Sequence, residues 1–138
     1  MRKIASVLLV AAILLSTLVP VSAAENTISP FYINTNQARL VMGITEDGVA
    51  EITVICSCNS NATGIKATTY IERQVGSSWV RVSNGQTNNE WIATTTARYL
   101  AKTYSCQLSF SGTYRAVTVL TVSGTETESI TLYREATY

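Results

Sequence analysis

Cys56 and Cys58 stand two residues apart in an alternating apolar run, and Cys106 follows far along the chain. These thiols carry most of the chain's chemical potential, because it contains no histidine. That absence excludes His-based catalytic triads, His general bases and His metal sites. An extended strand turns alternate side chains to opposite faces, so Cys56 and Cys58 share one face. Along such a strand they do not readily bond each other. Each can reach Cys106 on a neighbouring strand, provided the Cα atoms come within about 7 Å. Either bridge closes a loop of about 50 residues and stabilises by ~4 kcal/mol on a chain-entropy estimate. Cys56 is the preferred partner, since it lies deeper in its strand than Cys58. The leftover thiol would be a buried structural group or a link to a second chain. A Cys-x-Cys pair without histidine or a second pair is a poor zinc site, so no metal and no other cofactor is expected.

Other polar and aromatic residues offer weaker chemistry. Glu126 and Glu128 fall on one face of a final strand, ~7 Å apart by strand rise. Carboxylates at such distances serve glycosidases, but neighbours on one strand face usually form a solvated surface. Glu46-Asp47-Gly48 is an acidic turn, far short of a calcium ligand set. Trp79 and Arg81 alternate with Val80 and Val82. If the valines face the core, Trp79 and Arg81 form a surface contact for a sugar ring or a protein partner; otherwise Trp79 covers a sheet edge. Asn61-Ala62-Thr63 matches a glycosylation acceptor and reads here as an ordinary loop. No residue set assembles a catalytic centre, and no enzyme activity is expected.

The elements that must position these residues are strands. From Glu25 onward the chain holds 19 Thr and 11 Ser, with Val, Ile and Tyr abundant and proline almost absent after Pro30. Such residues suit a pleated, half-buried surface. Period-2 alternation marks strands at 38–42, 49–58, 65–75, 79–82, 99–110, 113–123 and 126–133, with turn residues between them. Residues 86–97 are ambiguous between loop and a short strand at 91–96. Ala50, Ile52, Val54, Cys56 and Cys58 share an inward face, as do Ile65, Ala67, Thr69 and Ile71. Leu100, Tyr104, Cys106, Leu108 and Phe110 share another. About seven short strands with short connections predict an all-β, immunoglobulin-like antiparallel β-sandwich.

The first 24 residues read differently. Met1-Arg2-Lys3 precedes an apolar run to Val19, then Pro20 and the small residues Val21-Ser22-Ala23-Ala24. This is the tripartite pattern of a secretory signal peptide, cut after Ala23 or Ala24. The run is short for a bilayer span, so no stable membrane insertion is expected after cleavage. The expected organisation is a signal peptide at 1–24, an N-terminal arm at 25–37 and a sandwich domain at 38–138. The whole chain has 10 Lys and Arg against 9 Asp and Glu. Losing Arg2 and Lys3 with the signal leaves a near-neutral product, which argues against nucleic acid as a partner.

Ser111-Gly112-Thr113-Tyr114-Arg115-Ala116 resembles the segment that opens strand F of immunoglobulin domains. There a corner tyrosine packs inward and its hydroxyl bonds back to the upstream chain. The resemblance implies that role for Tyr114. The usual strand-F cysteine is replaced by Ala116, and no tryptophan stands at the strand-C position. Tyr104-Ser105-Cys106 offers a rival alignment. The whole arrangement is similar to a family of small secreted proteins of unknown function from Gram-positive, largely clostridial, bacteria. That similarity rests on the signal peptide, Trp79 after a short turn, Gly112-Thr113-Tyr114-Arg115, and Thr125-Glu126-Thr127-Glu128-Ser129. It implies an extracellular immunoglobulin-like module and supplies no catalytic residues. The expected function is binding of an extracellular protein or glycan. The alternatives are a thiol-linked structural or envelope protein and, last, a small carboxylate hydrolase.

Overall fold

A computed structural model describes residues 32–138; the expected signal peptide and the first part of the arm lie outside them. Eight strands follow in order: β1 (Thr35–Ile44), β2 (Val49–Cys58), β3 (Gly64–Val75), β4 (Ser78–Arg81), β5 (Trp91–Thr95), β6 (Tyr99–Gln107), β7 (Thr113–Ser123) and β8 (Glu128–Thr137). They form two antiparallel sheets, β1-β2-β6 and β4-β3-β7-β8, with β5 also paired to β3. The ambiguous 91–96 segment is thus a strand, sharing one edge of β3 with β4. β1 begins at Thr35 rather than Ala38, so the end of the expected arm is already in the sheet.

Alternation explains the core. Ala50, Ile52, Val54 and Cys56 on β2 are fully buried, as are Ala67, Thr69 and Ile71 on β3 and Ala116, Thr118, Leu120 and Val122 on β7. Residues of the same phase from the two sheets close on one another, which is how a sandwich buries apolar area. Two hydroxyls lie inside this layer. Thr69 and Thr118 are cross-strand partners, and their Oγ1 atoms share a hydrogen bond of 2.9 Å.

The corner belongs to Tyr114. It is 1% exposed, and its hydroxyl donates to the Phe110 carbonyl at 2.5 Å. Tyr104, the rival, instead stacks on Trp91 with ring centroids 5.0 Å apart. Phe110 departs from its expected inward place and is 63% exposed. β6 ends at Gln107, Leu108 N–H donates to the Gly48 carbonyl, and the chain then turns, so the alternation does not carry through to Phe110.

The expected bridge from Cys106 to Cys56 or Cys58 does not form, and all three cysteines are free. β2 and β6 are indeed neighbours, but register separates the thiols. Cys56 lies opposite Leu100, whereas Cys106 lies opposite Ala50. Six residues of strand rise put Cys106 roughly 20 Å from Cys56, far beyond the reach of a disulfide. Cys106 instead points its sulfur toward the Ser83 carbonyl, 3.7 Å away. The Cys56 and Cys58 sulfurs share one face of β2 and lie 3.8 Å from each other without a covalent bond.

Both flanks of the sandwich are managed by charged side chains. On one flank β8 reaches across to β1: Glu128 accepts from Asn34 and Thr35, and Arg134 Nε donates to the Leu40 carbonyl at 3.0 Å. On the other flank β6 is an edge strand. Bonds from Cys58 N–H to the Arg98 carbonyl and from Leu108 N–H to the Gly48 carbonyl fix its phase. Even-numbered residues of β6 therefore bond β2, while Ala101, Thr103 and Ser105 turn their backbone groups outward. Lys102 occupies an inward position in phase with Leu100 and Cys106, yet it is exposed. An inward-pointing charge is one of the devices that keep an edge strand from pairing with another chain.

Candidate binding face

The outer face of the larger sheet brings three aromatic rings and two guanidinium groups together. Alternation on β4 turns Trp79 and Arg81 the same way. Register then places Trp79 opposite Gln74, and Arg81 opposite Glu72. Glu72 lies opposite Arg115 on β7, and Arg115 opposite Glu135 on β8. A row of alternating charge, Arg81, Glu72, Arg115 and Glu135, therefore crosses four strands. The adjacent row is Tyr70, Val117 and Tyr133.

The two rows interlock. The Arg115 guanidinium sits over Trp79 at 4.3 Å and over Tyr133 at 5.3 Å from the ring centroids. Its Nε donates to Glu72 Oε2 at 2.7 Å. Arg81 lies over the Tyr70 ring at 3.4 Å and donates to Glu90 Oε1 at 2.6 Å. Each arginine thus joins a carboxylate in its plane and an aromatic ring against its face, a combination the planar guanidinium permits. Val117, outward by alternation, is only 1% exposed between its tyrosine neighbours. Tyr133 and Ile92 remain 57% and 60% exposed beside this lattice. The face is aromatic, and each of its two arginines is paired with a carboxylate.

Trp79, half-buried, and Arg81, exposed, share this face, but the two valines between and beyond them do not both face the core. Val82 packs against the core, whereas Val80 is 51% exposed because β4 is short and lies at the sheet's edge. Val80, Val82, Arg73 and Phe110 line a groove of about 280 Å³ at the Tyr114 end. Tyr70, Glu72, Arg115 and Tyr133 were not singled out from sequence. The outward phase of each strand, even on β3 and odd on β7 and β8, puts them on one face, but only the pairing order brings them together.

Glu126 and Glu128 do not form a carboxylate pair on an open strand face. β8 begins at Glu128. Glu126 contributes its carbonyl, which accepts from Asn34 Nδ2 at 2.6 Å, and the Glu128 carboxylate is spent on Asn34 and Thr35. Among the described residues no group of three or more His, Cys, Asp or Glu gathers as metal ligands. Among them, too, no helix is long and apolar enough to cross a membrane.

Strand order and the Tyr114 corner define the class as an immunoglobulin-like β-sandwich. No family model matches the chain, and no curated protein matches it. Among solved structures, a protein from Archaeoglobus fulgidus is similar at 15% identity and a TM-score of 0.38, over 75% of this chain and 95% of that one.

Proposed function

We propose that the chain is an exported β-sandwich module that binds an extracellular protein or glycan surface through the outer face of its larger sheet. The observation that carries this reading is the Trp79, Arg115 and Tyr133 stack, preassembled and partly exposed. Trp, Tyr and Arg dominate the energetics of interfaces, and rigid side chains lose little entropy when a partner arrives. With Arg81 and Arg115 each joined to a carboxylate, the face suits a mixed or uncharged partner better than a polyanion. Export rests on the tripartite N-terminus.

The test is a binding screen of the mature chain against envelope glycans, envelope polymers and extracellular proteins. Each hit is then measured with Trp79→Ala, Tyr133→Ala and the double variant. Retained folding with at least tenfold weaker binding supports the face. Unchanged affinity in the double variant sinks it. Intact mass of the released protein tests export separately: a first residue of Ala24 or Glu25 supports it, and intact Met1 contradicts it.

A further inference from the structure

We propose that Cys56 and Cys58 are an oxidative modification site, closing an intrastrand disulfide within β2. Their sulfurs are already in van der Waals contact at 3.8 Å, on one face, with Ser57 turned to the other. Two residues of strand rise separate their Cα atoms by ~6.6 Å, inside the span that disulfides bridge. Cys58 is the last residue of β2, and its N–H bonds the Arg98 carbonyl just before β6, so tightening acts at the strand's end rather than within the ladder. Cys106 is too distant to compete, which leaves this pair as the one intramolecular bridge open to the three thiols.

The oxidant is a disulfide, either a small-molecule disulfide or that of a thiol oxidoreductase. The Cys58 thiolate attacks one oxidant sulfur; the oxidant S–S bond breaks and one oxidant thiol leaves. Cys56, having released its proton, attacks the Cys58 sulfur of the mixed disulfide, and the second oxidant thiol leaves. Two electrons pass from the cysteine pair to the oxidant, and the two protons end on the released thiols. Cys58 leads because it retains 8% exposure, whereas Cys56 has none. Burial, then the neighbouring Cys58 and Glu128, push the Cys56 thiol up to about 12. Closure is therefore fastest during folding, before β2 is covered, since the thiolate is the attacking species.

The mature chain is reduced and denatured, then refolded in a buffer of oxidised and reduced glutathione. The monomer that melts cooperatively is acid-quenched, alkylated with N-ethylmaleimide in guanidinium and digested with trypsin. Cleavage after Arg39 and Lys66 puts Cys56 and Cys58 on one peptide, 40–66; cleavage after Lys102 and Arg115 isolates Cys106 on 103–115. The expected result is an unlabelled 40–66 peptide lighter by two hydrogens, with 103–115 labelled once. Two labels on 40–66, a glutathione adduct there, or a bond between the two peptides would overturn the proposal.

Discussion

Glu128, at the first position of β8, holds Asn34 at the entry to β1: its Oε1 accepts the Asn34 backbone N–H at 2.8 Å. Its other oxygen accepts the Thr35 hydroxyl, also at 2.8 Å. β1 and β8 are edges of different sheets, so one carboxylate joins the two halves of the sandwich. Hydrogen bonds to an ionised acceptor contribute about 1.5–3 kcal/mol. Glu128→Ala is expected to lower stability by roughly 2–3 kcal/mol in urea unfolding, and Glu126→Ala by much less. Equal small effects would show that solvent replaces the Glu128 contacts.

Tyr114 separates a ring from a hydroxyl. Tyr114→Phe removes only the bond to the Phe110 carbonyl and is expected to cost ~1 kcal/mol. Tyr114→Ala also empties a buried site and is expected to cost ~3–5 kcal/mol. Both are read from denaturant midpoints at constant slope. A Tyr114→Phe loss as large as that of Tyr114→Ala would mean that the hydroxyl organises the whole 109–113 turn.

Alkaline sensitivity follows from Cys56 in its reduced form. Burial lifts its thiol from an ordinary value near 9 to about 12. Between those values the unfolded chain has lost the proton that the folded chain keeps. The contribution is complete below about pH 9 and shrinks as pH rises toward about 12. Burial pushes Cys106 and Tyr104 up as well. In reducing buffer the wild-type melting temperature is expected to fall more steeply above pH 9 than that of Cys56→Ala. Parallel curves would remove Cys56 from this account.

Lys102 guards the β6 edge. Lys102→Val would add apolar inward surface opposite Val54 and leave the outward backbone groups of Ala101, Thr103 and Ser105 unprotected. Concentration-dependent self-association is expected, with monomer stability unchanged or raised. Sedimentation velocity checks it; a variant that stays monomeric at every concentration would show that the edge is protected by other means.

The strands were legible in the sequence because their alternation is strong: β2 and β7 appear at the residues expected, with the expected inward faces. Element ends were less legible. At 108–112 apolar residues continue past the last sheet bond, so Phe110 looked like core. Register was hidden altogether. Cys56 and Cys106 sit on adjacent strands, as alternation and order suggest, yet the turns set an offset that no local pattern displays. The same limit hid half of the aromatic and guanidinium face. Trp79 and Arg81 are readable within one short strand, whereas Arg115 and Tyr133 join them only through pairing across β3, β7 and β8.

The Thr69 and Thr118 hydroxyls satisfy each other where water cannot reach. The hydrophobic layer alone reads β3 against β7 almost equally well after a slip of two residues, since such a slip keeps every inward side chain inward. It would, however, set Thr69 against Ala116 or Leu120 and strand both hydroxyls, at about 1–3 kcal/mol each. The pair is thus a registration mark, cut into a surface otherwise tolerant of sliding. Thr69→Val or Thr118→Val alone should be more costly than the two together, because each single change leaves one hydroxyl orphaned. The double variant should keep its stability while losing the discrimination, which would appear as a second set of β3–β7 resonances in NMR spectra.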